Sequence, residues 1–94
     1  MVKINWTKTA LNDLKAIYDY IEKDSKFYAA RLIEKIIVAV DQLENFPLSG
    51  RIVPEKNDET IREIIFGNYR IFYKIISPVK ILILRIHHSA KNVK

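Results

Sequence analysis

The stretch TIREIIFGNYRIFYKIISPVKILILRIHH, residues 60–88, decides the fold. Three runs within it, Thr60 to Phe66, Tyr69 to Ile76 and Lys80 to His88, are rich in Ile, Phe, Tyr and Leu. Such side chains suit a pleated, half-buried surface, so the runs are predicted to be strands. Gly67-Asn68 supplies residues that tolerate positive φ for a two-residue hairpin turn, and Ser77-Pro78-Val79 supplies a second short turn. The expectation is an antiparallel meander. Because side chains alternate along a strand, Leu82, Leu84 and Ile86 form one set and Ile81, Ile83, Arg85 and His87 the other. The purely apolar set is expected to meet the core, leaving Arg85 and His87 on the open face. In the middle run Ile71, Tyr73 and Ile75 are expected to pack, with Arg70, Phe72 and Lys74 opposite, and Arg62 is contributed by the first run.

Toward the N-terminus, residues 46–59 contain Pro47, Ser49, Gly50, Pro54, Asn57 and Asp58 and are expected to be mostly loop. Before them, Tyr28, Ala29, Leu32, Ile33, Ile36, Ile37, Val40 and Leu43 recur at helical spacing, ended by Pro47. A polar break, Lys23-Asp24-Ser25-Lys26, separates this helix from an earlier one carrying Ala10, Leu11, Leu14, Ile17, Tyr18 and Ile21, with Thr7 as its cap. So short a connection implies an antiparallel helical hairpin whose apolar stripes face the sheet. Val2, Ile4 and Trp6 alternate in a first strand. The order is β-α-α-β-β-β, an α+β class with the hairpin packed on a small antiparallel sheet. Ninety-four residues provide for one domain spanning 1–94, with one core and one site.

The apolar fraction of 49% is that of a folding chain, and without cysteine neither disulfides nor thiolate metal sites reinforce the core. Val2 to Trp6 shows no basic segment followed by an apolar run, which argues against a signal peptide, and no apolar run approaches the length of a membrane span. The chain is expected in the cytoplasm, off the membrane. Its charge of +5 is one-sided: residues 1–50 hold seven basic and seven acidic residues, and residues 51–94 hold nine and four. A field of that kind favours a polyanion or an acidic polypeptide; its plainer reading is solubility.

The candidate site is a basic patch of Arg62, Arg70, Arg85 and His87, with Arg51 and Lys91 at its margin. Guanidinium forks match phosphate oxygens, and an imidazole can move a proton near neutral pH. The competing reading for each arginine is a solvated charge or an ion pair with Glu55, Glu59 or Glu63. His87 and His88 diverge from a strand and have no companion ligands, so no metal is expected. Gly50 and Gly67 are isolated and make no phosphate-cradling loop, the serines lack an elbow motif, and Trp6 and Tyr18 are expected to anchor the core. No cofactor is expected.

The elements Trp6, Ala10-x-x-Asp13-Leu14-x-x-Ile17-x-x-Tyr20-Ile21, Phe46-Pro47-x-x-Gly50-Arg51, Ile61-Arg62-Glu63, Tyr69-Arg70-Ile71-x-Tyr73 and Ile81-x-Ile83-Leu84-x-Ile86-His87 occur in this order. Together they resemble the ParE/RelE toxin superfamily over nearly the whole chain. The resemblance implies two helices against an antiparallel sheet. It also implies a cognate antitoxin whose C-terminal segment wraps the toxin's apolar and basic surface and holds it inactive. Two activities follow from its two branches. The ParE branch poisons DNA gyrase, blocks replication and needs no catalytic residues. The RelE branch enters the ribosomal A site and is an endoribonuclease, cutting mRNA by attack of a 2′-hydroxyl on the adjacent phosphate. That cut needs a base, cationic stabilisation and an acid. The candidates here are Glu63 or Glu55 as base, Arg62, Arg70 and Arg85 as stabilisers and His87 as acid. RelE-type nucleases often carry a tyrosine near the C-terminus, whereas the last tyrosine here is Tyr73; the His87, Ser89, Lys91 ending is closer to the ParE type, with lysine in place of the usual arginine.

Overall fold

The structure is a computed structural model and describes residues 1–88. Strand β1 is Lys3–Trp6, helices α1 and α2 are Lys8–Glu22 and Lys26–Asp41, and a 3-10 turn, Gln42–Glu44, closes α2 before Pro47. Strands β2 (Arg51–Ile52), β3 (Ile61–Phe66), β4 (Tyr69–Ser77) and β5 (Lys80–His88) complete a five-stranded sheet of order β1-β5-β4-β3-β2. The element order, the hairpin on the sheet and the meander match the expectation. Two details differ. The loop of residues 46–59 contributes the two-residue strand β2, and β1 pairs with β5 in parallel, making the sheet mixed. The hairpin α1–α2 returns the chain across one face of the sheet, and that crossover makes the parallel pairing possible. Gly67 stands at φ 57 in the β3–β4 turn, the conformation that glycine adopts at least cost.

Both helices begin on side-chain caps. Thr7 accepts from the Ala10 amide at 3.1 Å and Ser25 accepts from the Tyr28 amide at 3.1 Å, each worth about 1 kcal/mol. The core lies between hairpin and sheet. Ala10, Ile36, Val40 and Leu43 from the helical side meet Ile71, Tyr73, Ile81 and Ile83, and Trp6, Leu14 and Ile17 pack around them.

The inward set of β5 is therefore not the one that strict alternation gives. Ile81 and Ile83 are fully buried, while Leu82 and Leu84 are not. The pairing explains it: Tyr73 faces Ile83, but its neighbour Phe72 faces Arg85, so Leu84 is an extra residue in a β-bulge. One extra residue reverses the phase. Ile81 and Ile83 point inward before the bulge and Ile86 after it, so of the expected core set only Ile86 stands. The bulge sits where β1 ends. There Thr7 donates its hydroxyl to the carbonyl of Ile83 at 2.8 Å, and Asp13 Oδ2 accepts the Ile86 amide at 2.9 Å. Side chains of the α1 cap and first turns thus replace the missing strand along that edge of β5. Among the described residues no helix is long and apolar enough to cross a membrane.

Candidate target-binding face

On the side of the sheet away from the helices, the register sets out two rows. Arg85, Phe72, Glu63 and Arg51 lie side by side across β5, β4, β3 and β2, and His87, Arg70 and Ile65 lie in the next row. The bulge delivers Arg85 and His87 to this face by shifting the alternation between Ile83 and Arg85.

The centre of the face is an acid. Glu63 is 1% exposed, and a buried carboxylate persists only when paired. Its Oε2 accepts from Arg51 Nε at 2.5 Å and its Oε1 from Arg70 Nε at 2.6 Å. Arg70 also donates through Nη2 to both oxygens of Glu55, at 3.2 and 3.3 Å. The Glu55 carboxyl is held below its ordinary value, first by its own backbone amide and then by Arg70. At the other end Arg85 forms a two-pronged pair with Asp13, Nε to Oδ2 and Nη2 to Oδ1, both at 3.2 Å. The arginines are therefore oriented by carboxylates of the chain itself. Phe72 fills the space between them, with the Arg70 guanidinium 4.9 Å from its ring centre and the His87 ring edge-on at 5.2 Å.

His87 is pushed below its ordinary 6.5, first by partial burial and then by the Arg85 and Arg70 charges, against an opposing pull from Asp13. The unfolded chain therefore takes up this proton before the folded chain does. Stability is expected to decline as pH falls below about 6.5 and to be insensitive to this group above it. Thermal melts from about pH 7.5 to 5 check this, and His87→Gln should flatten part of the decline; an unchanged acid slope would assign it to the carboxylates instead.

Of the expected patch, Arg70, Arg85, His87 and Arg51 come together, and Lys91 lies outside the described residues. Arg62 does not join them. It pairs with Tyr73 on the helix-facing side of the sheet, where its Nη1 donates to the carbonyl of Gly50 at 3.0 Å. The cause is alternation within β3: with Glu63 on the open face, its neighbour Arg62 must point the other way. Glu59, weighed as an ion-pair partner, is exposed and makes none of the observed pairs among the described residues. Residue chemistry alone did not single out Asp13 and Phe72. Asp13 carried one signal, its place in the Ala10-x-x-Asp13-Leu14 element of the first helix.

A helical hairpin thus covers one face of a small mixed sheet, and the opposite face carries arginines paired to carboxylates of the chain. The chain belongs to the ParE toxin family of type II toxin–antitoxin systems, parDE, whose family model matches residues 4–93. It is similar to Y4kP of Sinorhizobium fredii, 41% identical over 93% of this chain and 90% of that protein. It is also similar to Toxin RelE2 of Caulobacter vibrioides, 32% identical over 97% of this chain and 99% of the other. Among solved structures, a chain of the chromosomal ParDE TA system from P. aeruginosa superposes with a TM-score of 0.76 at 25% identity. That match covers 94% of this chain and 96% of the other.

Proposed function

We propose that this toxin is ParE-like: it inhibits growth in the cytoplasm by binding DNA gyrase through the open face of its sheet, without chemistry of its own. A cognate antitoxin neutralises it. The observation that carries this reading is the sealing of Glu63. A general base must reach the proton it removes, and both oxygens of this carboxylate are covered by guanidinium groups. Arg85, Phe72, His87 and Arg51 instead form a surface oriented by ion pairs and ring contacts, the kind of arginine and aromatic cluster that anchors protein partners. The match to the ParE family supports gyrase as the target.

A second reading has its own support in the similarity to Toxin RelE2 and in the adjacency of Arg85 and His87 on one face. In that case the toxin is a ribosome-dependent endoribonuclease. Pulse labelling after induction in a bacterium separates the two. DNA synthesis is expected to stop within minutes, before protein synthesis, and ribosome-bound mRNA is expected to stay intact. Discrete cuts in translated codons would overturn the gyrase reading. Arg85→Ala with His87→Ala is expected to abolish growth inhibition while shifting the melting temperature by only a few degrees, about the effect of one exposed ion pair. Full toxicity in that folded variant would remove the open face as the working surface.

A further inference from the structure

Strand β5 carries two sets of residues that a regular strand cannot place correctly together. Ile81, Ile83, Arg85 and His87 share one phase of the alternation, yet Ile81 and Ile83 are fully buried in the core while Arg85 and His87 stand on the open face. Without the extra residue Leu84, the phase that buries Ile81 and Ile83 would turn the Arg85 guanidinium toward the core, where a charge is tolerated only with a partner. The open face therefore depends on the bulge.

A bulge interrupts a ladder, and this one lies where a neighbouring strand gives out. The last pair between β1 and β5 is Trp6 with Ile83, so residues 84–88 have no strand on that side. Two side chains of α1 and its cap take up the backbone groups there. The Thr7 hydroxyl reaches the carbonyls of Ile83 at 2.8 Å and Leu84 at 3.2 Å, on the bulge itself. In the second turn, Asp13 Oδ2 accepts the Ile86 amide at 2.9 Å, two residues beyond the bulge. The same oxygen accepts from Arg85 Nε, and Oδ1 accepts from Arg85 Nη2, both at 3.2 Å. The Asp13 side chain is 17% exposed against 52% for Arg85, so the acid is the fixed partner and the guanidinium the one it orients.

We propose that Asp13 is the positioning residue of the working face: its carboxylate pins the backbone of β5 just past the bulge and orients Arg85, so that Arg85 and His87 are presented to the target together. This rests on the open-face reading above and adds to it the residue that keeps the face in phase. Thr7 acts with it on the bulge carbonyls. A carboxylate suits both tasks because each of its two oxygens can accept more than once, whereas an amide side chain offers one acceptor oxygen. Asp13→Asn therefore separates them. The side-chain carbonyl still accepts from the Ile86 amide, while the charge that holds Arg85 is gone. Asp13→Ala removes both.

Growth inhibition titrated by inducer level tests this, whichever target the face engages. Asp13→Asn is expected to need about tenfold more toxin for half inhibition, and Asp13→Ala about 100-fold more. Asp19→Ala, which removes another α1 carboxylate and breaks its exposed pair with Lys15, serves as control with wild-type inhibition. Two local signals separate positioning from loss of folding. The Ile86 amide is expected to stay protected from hydrogen exchange in Asp13→Asn and to lose protection in Asp13→Ala, while amides in the middle of β4 keep theirs. The His87 ring protons, shifted by the Phe72 ring in the wild-type NMR spectrum, are expected to move toward the positions of free histidine in Asp13→Ala only. Wild-type inhibition by folded Asp13→Ala would overturn the proposal. So would lost inhibition with Ile86 still protected and His87 unmoved, which would make Asp13 a contact of the target itself. Should Asp13→Ala unfold, Asp13→Asn decides alone: about tenfold weaker inhibition with Ile86 protected supports the proposal, and wild-type inhibition overturns it. Full toxicity of the Arg85→Ala, His87→Ala variant is a separate result and overturns the open-face reading instead.

Discussion

Replacing Tyr73 by alanine is expected to lower the unfolding free energy by about 4 kcal/mol, a large part of what a domain of this size possesses. Tyr73 is fully buried at the middle of β4, and its ring is one of the largest groups in the core. Its hydroxyl donates to the Pro47 carbonyl at 2.7 Å and accepts from the Gly50 amide at 3.0 Å. Truncation therefore opens a cavity and removes the partner of two backbone groups, the Pro47 carbonyl and the Gly50 amide. Tyr73→Phe keeps the ring and loses only the hydrogen bonds, so about 1–2 kcal/mol is expected. Gly50 is part of the same arrangement. A Cβ there would lie 2.5 Å from the Tyr73 hydroxyl and 2.8 Å from the Glu63 carbonyl oxygen, so Gly50→Ala must displace the phenol and should cost as much as Tyr73→Phe or more. Urea denaturation checks the series, with midpoints falling in the order Phe, then Ala, at unchanged slope. A loss below about 1 kcal/mol for Tyr73→Ala would mean that the loop docks without it.

The second large effect is expected at Glu63. Glu63→Ala should cost about 3 kcal/mol, because it leaves Arg70 partly buried with its main partner gone. The two arginines do not suffer equally. The Arg51 side chain is 61% exposed and returns to water at little cost, whereas that of Arg70 is 15% exposed and keeps only Glu55. Removing the stranded charge as well should recover much of the loss. Glu63→Ala combined with Arg70→Met is therefore expected to be more stable than Glu63→Ala alone, with a coupling energy of about 1–2 kcal/mol in the double-mutant cycle. Additive losses would show that packing around Glu63, not its charge, holds the face together. Because Glu63 orients Arg51 and Arg70, the single variant should also lose growth inhibition when assayed at a temperature where it is folded.

The candidate site was legible in part. Arg70, Arg85 and His87 are legible as a group because the two-residue side-chain period puts Arg85 and His87 on one face of their strand and Arg70 opposite Ile71 and Tyr73 on its own, and position along a strand is local information. Arg62 was misassigned because it and Glu63 are neighbours and only one can face out. Nothing local chooses between them: the choice is made by Arg51 arriving on β2 and by Arg70 on β4, both supplying the cations that let a carboxylate be buried. The core face of β5 was misassigned for a related reason. The alternation of Leu and Ile marks a strand, but a bulge at Leu84 changes which half of it points inward.

What the amino-acid sequence determined by itself is the set of elements and their order. Two amphipathic helices, the first with Thr7 as cap, a glycine at the turn that needs positive φ, and three apolar runs follow from side-chain period and turn chemistry within a few residues. The tertiary structure alone decided the parallel pairing of β1, the bulge, and every ion pair of the open face. Asp13 meets Arg85 across 72 positions of sequence and Gly50 meets Tyr73 across 23. Such contacts depend on where the hairpin comes to rest on the sheet, and that is set by the packing of the whole core rather than by any segment of it.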